Sequence, residues 1–402
     1  MLNIYNTYRN VKLLPWVFAS LMALPIVIFP FSPLLSYYIS IILLLTLSEL
    51  CNSRPVRVYL SIIALVSGSL IAASRMSLRS LSDDFGHYYD SYLSILHGGT
   101  IFQYASGFEF LISLYFKLMI LVSGELHPSS ILFFVALLNS FLFYLWLEKF
   151  GLEKVDSNVK SLCVAASLTF YMFPISTLLM RQMLATPLLL FAISYTLNNK
   201  KGIFFFLLAC FAHSSSAPIY FIVRMLMSEN KKNKNIMVLF FMLFLLSFSL
   251  LVKYAASLSG IPIINAITYK LDYYSTATLF DFSKLDSYVK YLIVMVLSSF
   301  YFFSKEHRDW KSLLYYSGII YLILLPIPFM SGRLFLILSA VGLGYMLFLS
   351  AYKISMVFRY LMIIFCVFRI LTLGIYYTNT NDGFDLWYSY PWISENAFYF
   401  VI

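Results

Sequence analysis

Apolar runs of about 20 residues, each long enough to cross a hydrocarbon layer of about 30 Å, recur from residue 13 to residue 375. In lipid, every backbone N–H and C=O has to be satisfied inside the protein, which leaves helices or a closed barrel. The runs are continuous and do not alternate with polar residues, so they read as helices. Hydrophobic residues make up 61% of the chain and charged residues only 11%, where soluble domains carry about 25%. These features predict an all-α polytopic membrane protein, with one transmembrane domain over 1–402.

The net charge of +10 is spread over short loops, where Lys and Arg mark the cytoplasmic side. It forms no basic stripe, so no nucleic-acid partner is expected. Arg9 and Lys12 precede an apolar run that leads straight into another, which reads as an uncleaved first helix. Hydropathy places crossings near 13–31, 34–50, 58–74, 131–147, 161–179, 182–197, 235–258, 288–304, 312–328, 333–350 and 357–375. That is about eleven. Outer loops are expected at 75–130 and 259–287, with an outer tail at 376–402.

Two apolar pieces break the parity of crossings and are expected to be re-entrant or interfacial. Residues 108–123 are short and carry Lys117. Residues 203–226 lie between two basic loops, 198–201 and 231–234, and are too short for two full passes. A broken pair of half-helices meeting near 213–216 fits that length, and Pro218 supports the break. Irregular backbone at membrane depth is tolerated where it lines a protein cavity.

In so apolar a chain each polar group needs a reason. Lys117, Lys253 and Arg359 sit near segment ends and snorkel. Arg181 and Arg333 sit at outer helix ends, against the positive-inside trend. Arg369 lies about two turns inside the last helix, where arginine costs on the order of 3 kcal/mol. Their partner is either a protein carboxylate or carbonyl, or a phosphate, whose oxygens a guanidinium fork matches two at a time. His213, at the expected break, is either a buried structural histidine or a general base. Asp83 and His87, like Asp84 and Tyr88, share a face at i, i+4. That group is a solvated loop, a loose metal site, or a place for sugar binding or acid–base work. Glu109 opens the dipping segment near the same outer region. Cys51, Cys163, Cys210 and Cys366 have neither disulfide nor zinc spacing, and no metal site is assigned. No nucleotide-binding loop or Gly-x-Ser-x-Gly elbow is present, so energy for any reaction arrives with the substrate.

In order along the chain stand Asp84-Phe-Gly-His-Tyr88, Gly107-Phe-Glu109, Arg181-Gln-x-x-Ala185, Phe211-x-His-Ser214, Lys270-x-x-Tyr273 and Arg333. This ordered set resembles the EpsG family of polysaccharide polymerases and the Wzy O-antigen and capsule polymerases in general. The resemblance implies a GT-C-like, metal-independent glycosyltransferase of the bacterial inner membrane, with no cofactor and with its site facing the periplasm. It would join oligosaccharide repeat units carried on undecaprenyl diphosphate. Implied partners are that lipid-linked oligosaccharide, membrane lipid and a chain-length regulator of the Wzz type. With that chemistry, Arg181 and Arg333 bind the diphosphate, with Lys270 and Arg369 as further candidates. His213 is the favoured base, with Asp84 and Glu109 behind it, and His87, Tyr88, Tyr273 and Tyr274 contact sugar. The competing expectations are a lipid-linked oligosaccharide flippase and an O-antigen ligase.

Overall fold

The computed structural model describes residues 14–73, 84–255, 287–327 and 330–372, and every regular element among them is helical. In chain order these are α1 (Leu14–Ile28), α2 (Pro33–Thr46), α3 (Ser48–Cys51), α4 (Arg54–Ala73), α5 (Phe85–Leu96), α6 (Leu111–Ser123), α7 (Pro128–Trp146), α8 (Lys160–Thr169) and α9 (Phe173–Leu178). They continue as α10 (Met180–Leu197), α11 (Ile203–Ala212), α12 (Ser216–Met227), α13 (Lys231–Ala255), α14 (Ser287–Phe302), α15 (Arg308–Leu324), α16 (Met330–Leu334), α17 (Leu343–Ala351) and α18 (Ser355–Thr372). The chain divides into two compact units, one of Met1–Leu184 with Met356–Ile402 and one of Ala185–Ser355.

In the first unit, α2 packs between α1, α4 and α8. It starts at Pro33, whose missing N–H costs nothing at the first helical position, and the Ser32 hydroxyl accepts from the Leu35 N–H at 3.2 Å. Lipid tails are as apolar as leucine, so helices in lipid are held by close packing and hydrogen bonds. Small residues supply both. Ser36, Ser40, Ser61, Ser67 and Ser69 are fully buried, and the Ser36 hydroxyl donates to the Pro25 carbonyl at 2.8 Å across the α1–α2 contact. At Gly68 a Cβ would come within 2.6 Å of the Phe173 ring, so glycine is what lets α9 approach α4.

One end of this unit is stitched by polar groups. Arg57 Nε and Nη2 donate to the two Glu148 carboxylate oxygens at 2.7 and 2.8 Å, and Arg57 Nη1 donates to the Asn52 carbonyl at 2.6 Å. The Tyr144 hydroxyl adds a bond to Glu148 at 3.0 Å. The Asn52 amide donates to the Asn158 carbonyl at 2.7 Å and its oxygen accepts from the Ser161 N–H at 2.9 Å. The loops after α3 and α7, assigned to one side from their basic residues, therefore meet. α4 leads away from this end and α7 returns to it, so α4 and α7 are antiparallel.

Among the described residues, three helices are long and apolar enough to cross a membrane: Arg54–Ala73, Pro128–Gly151 and Leu343–Leu371. Several other expected passes are interrupted. The expected span 161–179 breaks between α8 and α9, where Phe170 to Met172 leave the helix ahead of Pro174. The span 333–350 is split by a π turn at Ile337–Val341. The segment expected to dip, α6, has 13 residues, about 20 Å at 1.5 Å each, with Lys117 exposed.

In the second unit, α11 and α12 have 10 and 12 residues, about 15 and 18 Å long. His213 closes α11 in extended backbone, φ −157° and ψ 123°. The ring of Phe206 lies 4.7 Å from that of Tyr220, although in one continuous helix they would stand about 21 Å apart. The two helices therefore fold back on each other as a hairpin, the arrangement expected for 203–226. The Tyr220 hydroxyl bonds Thr196 of α10 at 3.0 Å. The Ser312 hydroxyl of α15 donates to the Leu226 carbonyl at 2.6 Å, anchoring the hairpin's far end.

Candidate functional site

Tyr88 lies one turn into α5 and is 4% exposed. After α5 the chain enters a loop that coils tightly at Tyr104 to Glu109. Ala105 and Gly107 both take positive φ, +48° and +93°. The Tyr104 carbonyl accepts the N–H groups of Gly107 at 2.9 Å and Glu109 at 3.3 Å. That coil places the Tyr104 ring and the Glu109 carboxylate on one side of the loop, close to Tyr88: the two tyrosine rings are 5.7 Å apart.

Arg181 meets them from the first turn of α10. A short break at Leu179, φ −107° and ψ 52°, separates α9 from α10 and starts a new helix there. A cation at a helix N-terminus opposes the macrodipole by roughly 0.3–1 kcal/mol, so Arg181 needs local compensation. Arg181 Nη1 donates to Glu109 Oε2 at 2.5 Å, and Nε donates to the Tyr88 hydroxyl at 3.1 Å. The guanidinium carbon sits 4.5 Å from the Tyr104 ring centre and 5.7 Å from that of Tyr88. The Glu109 side chain is 3% exposed and that of Arg181 is 25% exposed. Among the described residues, Arg181 Nη2 has no hydrogen-bond partner.

Burial pushes the Tyr104 hydroxyl up to about 12 and raises that of Tyr88. Both phenols therefore keep their protons at neutral pH. Tyr88 accepts from Arg181, so its own O–H is available as a donor. The site is a part-exposed cation held on two edges, with its third edge and the buried Tyr88 O–H left as donors. Such an array accepts an anion or a hydroxyl-rich ligand.

Glu109 was expected among the catalytic groups and Arg181 among the diphosphate binders, and the structure pairs them with each other. Asp84 is exposed at the start of α5 with no side-chain capping bond, one turn before Tyr88. His87 is exposed, and its carbonyl accepts from the Tyr104 hydroxyl at 3.4 Å. Arg369 lies elsewhere, its guanidinium 5.3 Å over the Phe365 ring, which stacks on Phe170 at 5.0 Å. His213 and Arg333 belong to the second unit. His213 is half-buried at the hairpin turn, and Arg333 is exposed on α16. Lys270, Tyr273 and Tyr274 lie outside the described residues, as does Asp83. Among the described residues no group of three or more His, Cys, Asp or Glu could hold a metal ion. Tyr104 is the member that sequence reasoning missed. Its only signal is an aromatic three residues before Gly107.

A family model, that of the EpsG family, matches residues 57–392, a stretch that contains Tyr88, Tyr104, Glu109 and Arg181. No curated protein and no solved structure matches the chain.

Proposed function

Because the chain belongs to the EpsG family, we propose that it is a polysaccharide polymerase of the bacterial inner membrane. It joins oligosaccharide repeat units carried on undecaprenyl diphosphate, at the periplasmic face. The observation that carries this reading is the Arg181 fork, fixed by Glu109 and Tyr88 over Tyr104, with its Nη2 edge open.

The chemistry runs as follows. An acceptor hydroxyl of the incoming unit attacks the anomeric carbon of the growing chain. A new C–O bond forms, the bond to the diphosphate oxygen breaks, and undecaprenyl diphosphate leaves. The hydroxyl proton passes to a base, for which Asp84, one turn before Tyr88 in the same unit, is the candidate. Negative charge grows on the leaving phosphate, so a fixed cation there stabilises the transition state more than the ground state. Arg181 supplies that cation.

Pairing with Glu109 reduces but does not cancel this effect. At an effective dielectric of 20, a phosphate charge about 4 Å from the guanidinium gains about 4 kcal/mol, and one about 6 Å from the Glu109 carboxylate loses about 3 kcal/mol. The balance stays attractive and grows with each unit of charge that develops near the open edge. Glu109 is therefore assigned to positioning Arg181. Its carboxylate would have to leave a guanidinium before it could take a proton.

The test is incubation of the purified protein with lipid-linked repeat units and no nucleotide. A ladder of longer lipid-linked chains is expected. Arg181→Lys, which keeps the charge and loses the fork, should cut the rate by about 100-fold, as removal of one preorganised transition-state donor does. Absence of the ladder, or an Arg181→Lys protein of normal rate, would remove this reading.

A further inference from the structure

The second unit carries an open-sided groove of about 600 Å³ lined almost wholly by apolar and aromatic atoms, and none of it takes part in the site above. Asn235, Val238 and Met242 of α13 form one wall, and Tyr315, Tyr316 and Ile319 of α15 form the other. The α13 residues stand at i, i+3 and i+7, so they make a single stripe about 10 Å long.

At the head of this groove sits Lys234. It is 8% exposed, and its ammonium lies 5.3 Å over the ring of Tyr316. Among the described residues no carboxylate reaches it and no hydrogen bond is made to it. Arg308 and Lys231 crowd it with like charge, and Asp309 and Glu229 offset them only in part. Glu229 is already drawn toward Arg308 at 3.8 Å. Three cations, Lys234, Lys231 and Arg308, thus gather at the head of an apolar channel, against two acids. A desolvated ammonium without an anion is costly, and the groove opens beside it at Asn235 and Tyr316.

We propose that this groove holds one anionic glycerophospholipid, its phosphate against Lys234 and Lys231 and its acyl chain along Val238, Met242 and Ile319. The charge selects an anionic headgroup over a zwitterionic one, and the apolar channel selects a lipid over a free phosphate. Basic pockets at helix ends recognise anionic headgroups in this way. The site does not rest on the polymerase reading, because it shares no residue with the Arg181 cluster.

The test uses the full-length protein in detergent and follows its melting temperature while phosphatidylglycerol, phosphatidylcholine or inorganic phosphate is added. Phosphatidylglycerol should raise the melting temperature saturably, and the other two should not. Lys234→Gln should move the half-saturating phosphatidylglycerol concentration up at least tenfold. Val238→Trp, which fills the channel and leaves every cation in place, should do the same. Arg181→Ala should respond as the unaltered protein does. An equal response to phosphatidylcholine, a full response to phosphate alone, or an undiminished response in the Val238→Trp protein would overturn the proposal. If Lys234→Gln does not fold, Val238→Trp and the phosphate arm decide the matter.

Discussion

Tyr88 and Glu109 hold two edges of the Arg181 fork, and the third, Nη2, has no hydrogen-bond partner among the described residues. The roles of these residues separate in kinetics. Glu109→Gln removes a repulsion toward phosphate but also loosens the fork. It should lower KM for the lipid-linked donor and lower kcat by tenfold or more, measured in the nucleotide-free polymerisation assay. A change in KM alone would mean that Glu109 does not position Arg181. The Tyr104 ring supports the cation by a contact worth about 2 kcal/mol when desolvated. Tyr104→Phe should keep most activity, and Tyr104→Leu should lose roughly 30-fold, the rate equivalent of that energy. Arg181 and Glu109 were legible as candidates because a charge in so apolar a chain demands explanation. Their pairing was not, because 72 residues separate them and no local pattern joins them. Tyr104 was hidden among 32 tyrosines, most of which serve equally well as interfacial anchors.

At the scale of elements, the helices matter as much for where they stop as for where they run. The coil from Tyr104 to Glu109 depends on Gly107 at φ +93°, where a side chain is strained and a Cβ would press on Phe102 at 3.3 Å. Gly107→Ala should therefore displace Glu109 and lower polymerisation by tenfold or more while the melting temperature falls by only a few degrees, the response to about 1 kcal/mol in a large domain. Loss of activity and fold together would contradict this. The hairpin of α11 and α12 was legible, because two basic loops and a serine–proline run fixed both its length and its turn. The breaks at 170–172 and 337–341 were not. Hydropathy averages over such breaks: Pro174 marks the first and Gly342 follows the second, but neither residue changes the mean of a membrane-length window.

In the molecule as a whole, the first unit holds two charged clusters that do different work. The Arg181 cluster keeps a free donor edge. The Arg57–Glu148 cluster satisfies itself, with both side chains no more than 8% exposed. Breaking a buried pair by removing one partner costs about 3–5 kcal/mol. Glu148→Gln should lower the melting temperature by several degrees, and the folded fraction should polymerise at the normal rate per molecule. Replacing both partners by apolar residues of similar size should restore most of the stability. A rate defect in folded Glu148→Gln protein would show that the two clusters are coupled.

The Arg57–Glu148 clasp also sets an order of events during biogenesis. Its halves are 91 positions apart, and at about 5–20 residues per second the ribosome needs roughly 5 to 18 s to make the intervening chain. Throughout that interval Arg57 of α4 lacks its carboxylate and has only the Asn52 carbonyl, five residues back, to accept from it. The clasp across α4 and the end of α7 therefore closes only after Glu148 has been made.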